Sequence, residues 1–370
     1  MEPNSIVSHD KVDTIYSADS IEWIPSTNQR LIIGTYQLID NETQQFITPE
    51  NPSSNQEKAI RKGNLQLYKV NDKNKLVKGN VIEGEASLDI KWRYSPRIIE
   101  GEKNYLLAQA DASGQVKFYS YNEEKDELLK EETLFEFKNI LSEKENLALS
   151  LDWSDRINND DCKLSVSFSD GSLSVIELNP DTLKGQIKYR WLAHSLEAWI
   201  TGFNYHNTNV VYSGADDALF KSWDLRLLDQ YTGDEDIVKS STAVMTNKSH
   251  MAGVCSLHSN PNRENYIATG SYDETVRIFD TRKLKVPVSE INVDGGVWRV
   301  KWHSTNPSQL IVAAMHDNNN EFSIQNSFMD HTSIAYGVDW SYNPTNNQQL
   351  IGSVSFYDHS MYLWSINKSS

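Results

Sequence analysis

The chain has 370 residues, of which 38% are hydrophobic, with a formal net charge of −16 and two cysteines, Cys162 and Cys255. That charge argues against a broad basic surface for a nucleic-acid backbone. The two cysteines exclude a disulfide framework and a cysteine-rich zinc site, and suit a reducing compartment. No apolar run approaches the ~18 residues needed to cross a bilayer, and the N-terminal segment lacks the basic and apolar regions of a signal peptide, so a cytoplasmic, single-domain protein is expected.

In chain order, Val12–Tyr16 (VDTIY) first reads as a lone strand. A five-residue phrase then recurs: Asp19–Trp23 (DSIEW), Leu88–Trp92 (LDIKW), Leu149–Trp153 (LSLDW), Trp199–Phe203 (WITGF), Gly253–Leu257 (GVCSL), Trp298–Trp302 (WRVKW) and Tyr336–Trp340 (YGVDW). Each copy is followed by alternating apolar runs bounded by Gly, Asp and Ser, the signal of short strands and tight turns. The clearest are Val210–Asp224, Tyr266–Asp280 and Leu350–Trp364. In the first repeat the strands are split, into Arg30–Leu38 and Gly63–Val70. A repeat of roughly 40–60 residues built of short strands predicts an all-β propeller. Seven copies predict seven blades, with the lone N-terminal strand completing the outer edge of the last blade and closing the ring. Insertions fall at Ile39–Lys62 and Leu225–Asn247, and Asn122–Lys138 reads as a helix or a charged loop.

An Asp stands six residues before the closing aromatic at Asp217, Asp273 and Asp358, and Asp170 holds the same place before Ile176. His194, His250 and His331 precede the first three. This resembles the WD-repeat pattern, in which the His hydrogen-bonds the turn Asp, so these pairs are expected to be structural; a buried carboxylate left unpaired is costly.

The chain has no G-x-S-x-G elbow, H-E-x-x-H, C-x-x-C, P-loop or G-x-G-x-x-G, so no common hydrolase, metal or nucleotide motif is present, and no cofactor or metal is expected. What remains are residues that the blade pattern does not require. Asp216, Tyr272 and Tyr357 precede the turn Asp, and Trp199, Trp298 and Tyr336 open the phrase in later blades. With Glu197, Arg299, His316 and His359 they are expected around one mouth of the channel. Exposed aromatics beside carboxylates suit a quaternary ammonium, by cation–π attraction, or a protein–protein hot spot.

Longer phrases carry a closer resemblance: GTYQL at Gly34–Leu38, AHSLEAW at Ala193–Trp199, YSGADDALFKSWDLR at Tyr212–Arg226, HMAGVCSL at His250–Leu257, GGVWRVKWH at Gly295–His303 and SFYDHSMYLW at Ser355–Trp364. In these the chain resembles the diphthine methylesterase family, WD-repeat members of the diphthamide pathway. The resemblance implies hydrolysis of a methyl ester on a modified histidine of elongation factor 2. That side chain also carries a trimethylammonium. The aromatics Trp199, Tyr272, Trp298, Tyr336 and Tyr357, with Glu197 or Asp216, fit such a substrate as its trimethylammonium site, and Arg299 is the candidate partner of the oxyanion. The base is then sought among His359, His316 and Asp216. The competing expectation is a non-catalytic adaptor presenting elongation factor 2 or another client. A monomer is expected.

Overall fold

The computed structural model describes residues 6–25, 27, 29–47, 59–157, 162–233, 240–314, 326–342 and 348–367. The molecule is an all-β propeller of antiparallel sheets. The recurring phrase forms the innermost strand of each sheet: Ser17–Trp23, Ser87–Trp92, Ala148–Trp153, Ile200–Phe203, Val254–Ser259, Val297–Trp302 and Ala335–Trp340. Each of these strands contacts the next around the ring, and the last contacts the first.

Six sheets are complete blades of at least four strands, where seven were expected. The sheet between the fifth and the last blade has two strands among the described residues, Val297–Trp302 and Leu310–Ala314. The chain beyond them, 315–325, lies outside the described residues, as does His316. The N-terminal strand is Ile6–Asp13, which shares only Val12 and Asp13 with the expected Val12–Tyr16 because residues 14–16 bend into the first inner strand, and it pairs antiparallel with the last strand, from Ile6 against Ile366 to Asp13 against Ser360. Asn122–Lys138 is neither helix nor loop for most of its length: Glu127–Glu136 is the outer strand of the second blade. Its exposed face carries the charges while Leu128 is buried, so period-two alternation overrides charge density.

Among the described residues the buried apolar side chains fall into seven clusters, each lying between two neighbouring sheets. The Trp that ends the phrase serves this stacking. Trp153 Nε1 donates to the Lys91 carbonyl, Trp302 Nε1 to the His258 carbonyl and Trp340 Nε1 to the Lys301 carbonyl, in each case on the preceding inner strand. The residue before it completes the link: Phe203 N donates to Asp152 Oδ2, Trp23 N to Asp339 Oδ2 and Trp302 N to His258 Nδ1. A fully buried aromatic contributes roughly 1.5–3 kcal/mol by transfer from water, and these bonds fix which blade follows which. The same geometry corrects the fifth copy of the phrase. His258 occupies the acceptor position, so the copy is Cys255–Ser259 rather than Gly253–Leu257.

Candidate functional site at the aromatic mouth of the channel

Antiparallel pairing sets the start of each inner strand beside the end of the second strand and the turn that follows it. The first residue of the phrase and the residue before the turn Asp are thereby placed at one end of the channel. In six of the sheets the inner strand is bulged at that first residue: Asp19, Leu88, Leu149, Cys255, Trp298 and Tyr336. A bulge re-aims a side chain out of the alternation, which frees large residues there from the packed core. Trp199 directly precedes the fourth inner strand.

The five expected aromatics meet. Trp298 is central, with ring centroids 5.8 Å from Trp199, 5.8 Å from Tyr272 and 4.6 Å from Tyr336. Tyr336 stacks on Phe356 at 4.7 Å, and Phe356 meets Tyr357 at 5.1 Å. Phe356, which links Tyr357 to the row, was not singled out in the sequence. Its signal was its place inside SFYDH. Tyr272 is 37% exposed and Tyr357 50% exposed, so the row presents surface to solvent.

Asp216 anchors one end of the row, accepting a hydrogen bond from Trp199 Nε1 at 3.2 Å. Its own N–H donates to the Glu197 carbonyl at 3.0 Å. A Cβ on Gly253 would lie 2.7 Å from Asp216 Oδ1, so glycine is what allows this carboxylate to come so close to the next blade. Burial raises the Tyr272 and Tyr336 phenols, keeping both neutral.

Arg299 follows Trp298 but is buried within the channel, with Nη2 3.5 Å from Asp89 Oδ1 of the second blade. Lys91 Nζ lies 2.6 Å from the same oxygen. Burial opposes the Asp89 charge, but Lys91 and Arg299 outweigh it and hold the carboxyl below its ordinary range. Arg299 is therefore an ion-pair partner between inner strands of different sheets. His359 is not brought into the row. Its backbone is left-handed, at φ 50°, its carbonyl accepts from Thr14 N and Oγ1, and its ring stands 6.4 Å from Phe46.

The three turn histidines differ. His194 Nδ1 lies 3.1 Å from Asp217 while Nε2 meets Ser213 Oγ at 2.7 Å, and Trp223 Nε1 donates to the same hydroxyl. His250 is 3.7 Å from Asp273, with Arg277 bonded to both. His331 reaches Ser360 Oγ, which in turn donates to Asp358. The expected direct pair is thus a hydrogen bond only at His194–Asp217. In the fourth pattern position, Asn146 rather than a His donates to Asp170.

At the opposite end of the channel Arg156 lies 4.9 Å over the Tyr94 ring and 5.2 Å over that of Tyr205. Lys301 pairs with Glu22 at 2.6 Å and Asp339 at 3.1 Å. The space left there, lined among others by Glu22, Arg156, His258 and Asp339, is about 10 Å³, about enough for one water. A separate cavity of about 690 Å³ between the fourth and fifth blades, lined by His206, Met245 and Lys283 among others, contains none of the candidate residues.

A family model described as "WD domain, G-beta repeat" matches residues 241–280. A protein of Dictyostelium discoideum named diphthine methyltransferase homolog is 36% identical, over 94% of this chain and 96% of its own length. The diphthine methyltransferase of Homo sapiens is 36% identical, over 93% of this chain and 77% of its own. That of Schizosaccharomyces pombe is 28% identical, over 98% and 99%. Among solved structures, a chain of "Crystal Structure of Mitotic Checkpoint Complex" superposes with a TM-score of 0.60, 14% identity and coverage of 99% of this chain and 92% of that one, a likeness of fold alone.

Proposed function

We propose that this chain, which belongs to the diphthine methyltransferase family, is a carboxylic-ester hydrolase of diphthamide biosynthesis that removes the methyl ester from diphthine methyl ester on elongation factor 2, releasing diphthine and methanol. The relatives are named for methyl transfer; the chemistry this mouth supports best is removal of the methyl group by water. The observation that carries the reading is the row Trp199–Trp298–Tyr336, ended by the Asp216 carboxylate, with Arg299 next to Trp298 in the chain and its guanidinium buried against Asp89. Aromatic faces and a carboxylate attract a trimethylammonium. A guanidinium stabilises the oxyanion that forms when an ester carbonyl is attacked, the role this reading gives Arg299. The substrate carries both groups on one side chain.

The substrate is a protein, and exposed apolar residues surround the mouth on loops that enter the inner strands: Ile15, Leu196, Met251 and Met329. Glu197 and Tyr357 complete the trimethylammonium side in this reading. His359 and His316 stand as weaker candidates for the base, His359 because its ring contacts Phe46. A seven-blade count, with the two-stranded sheet as sixth blade and the N-terminal strand closing the ring, belongs to the same reading. It is supported by the circular order of the inner strands and by the pairing of Ile6–Asp13 with the last strand. So do a cytoplasmic location and a monomeric state; among the described residues no helix is long and apolar enough to cross a membrane.

The test is a mass measurement. The purified chain alone is incubated with elongation factor 2 bearing the methyl ester, and the modified peptide is weighed. Loss of one methylene equivalent, reduced by Arg299→Gln, is expected. Binding with no mass change would make the protein an adaptor and end the esterase reading.

A further inference from the structure

Six of the seven first positions of the phrase are apolar or a thiol: Leu88, Leu149, Trp199, Cys255, Trp298 and Tyr336. The seventh is Asp19, bulged like its counterparts between Ala18 and Ser20 and 4% exposed. The other inner-strand aspartates are satisfied. Asp89 accepts from Lys91, Ser150 Oγ and Leu151 N; Asp152 from Phe203 N and Tyr205 OH; Asp339 from Trp23 N. Among the described residues no hydrogen bond reaches the Asp19 carboxylate; its ionisation is set by burial and by the charges of Arg299, Asp89 and Lys91. The charges that act on it come from Arg299 of the two-stranded sheet and from Asp89 and Lys91 of the second blade, and its own charge acts on Tyr36 of its own blade and Tyr336 of the last. An unpaired buried carboxylate costs stability, and Asp19 holds the bulged first position of its inner strand, the one that Trp298 and Tyr336 hold in theirs, with its carbonyl so close to the last blade that a Cβ on Gly337, next to Tyr336, would lie 3.2 Å from it.

We infer that Asp19 is the general base of the ester hydrolysis, taking the proton of the attacking water beside the Arg299 guanidinium. The inference rests on the esterase reading above. The water oxygen bonds to the ester carbon as its proton passes to an Asp19 oxygen, and the carbonyl electrons move onto the oxyanion facing Arg299. On collapse the carbon–methoxy bond breaks, and Asp19 returns the proton to the methoxy oxygen, which leaves as methanol. The product acid then ionises, releasing one proton to solvent. Burial raises the Asp19 carboxyl to about 8, so the base is increasingly available as pH rises towards that value. A base whose proton affinity lies near the working pH combines availability with driving force.

The experiment uses the full chain and elongation factor 2 bearing the methyl ester, with wild type, Asp19→Asn and Asp19→Glu compared from pH 6 to 9. Wild-type kcat/KM is expected to rise with pH and level off near the value of about 8 set for Asp19. Asp19→Asn should lower kcat by about 10²–10⁴-fold, with KM little changed, and Asp19→Glu should retain activity with a displaced pH limb. Wild-type turnover matched by Asp19→Asn, or a pH limb unmoved in Asp19→Glu, overturns the assignment and leaves the esterase reading intact. A wild-type protein that binds but does not hydrolyse overturns both. Melting curves show whether Asp19→Asn folds; if it does not, the Asp19→Glu profile decides.

Discussion

The Trp199 indole donates a hydrogen bond to Asp216 Oδ1 at 3.2 Å, tying the residue that opens the fourth inner strand to the turn after the second strand of the same blade. This bond fixes the edge of the row on which Trp298 rests. Two features of the repeat, 17 residues apart in sequence, are thereby joined at the mouth.

Trp298 touches three of the row's other rings, so Trp298→Ala removes more cation-binding surface than any other single change there. A desolvated cation–π contact is worth about 2 kcal/mol, or about 30-fold in affinity. KM for the trimethylated substrate is expected to rise by about that factor. A demethylated substrate, lacking the fixed positive charge, should lose much less. Steady-state kinetics on the two substrates checks this; an equal effect on both would count against a trimethylammonium site.

Asp19→Asn is expected to make the protein more stable. The folded carboxyl titrates at about 8 against an ordinary 3.8. Between those values the native state holds a proton that the unfolded chain has released, so wild-type stability falls as pH rises through that window. Asparagine does not titrate. The advantage of the variant over wild type should therefore grow from pH 4 to pH 8 and then flatten, reaching a few kcal/mol in order of magnitude. Urea denaturation at several pH values reads it.

Burial lowers His331 to about 4 and also lowers His194 and His250. Below the ordinary value of 6.5 the unfolded chain takes up protons that the native imidazoles refuse, so their contribution to stability is present above pH 6.5 and is lost as pH falls towards 4. Asp152 and Asp339, both raised to about 6 by burial, run the other way. The comparison must therefore be with His331→Gln, whose melting temperature should fall less than that of wild type between pH 6.5 and 4.5.

Trp153 and Trp92 close the same phrase in adjacent blades, and both are 1% exposed. Only Trp153 has a partner for its indole nitrogen, the Lys91 carbonyl at 2.9 Å; the Trp92 nitrogen has none among the described residues. Trp153→Phe should cost about 1 kcal/mol more than Trp92→Phe, the net worth of one buried hydrogen bond. Chemical denaturation of the two variants decides it.

Repetition made the architecture legible in one dimension. The phrase marks the inner strands because each must bury an apolar residue towards the next blade, and most copies also share a hydrogen bond with the neighbouring inner strand. The residues before the turns could be assigned to one mouth for the same reason. Tertiary structure alone decided the rest. Cys255–Ser259 replaced Gly253–Leu257 because a hydrogen bond from Trp302 to His258, 44 residues apart, sets the register. His359 was separated from the row because its left-handed turn carries the ring to Phe46. Asp19 could be read from the sequence as the one acidic first position, but its lack of partners could not. Whether a carboxylate is paired depends on Arg299, Asp89 and Lys91, which other blades bring to the channel, and the energy of a buried charge belongs to its surroundings rather than to the chain that bears it.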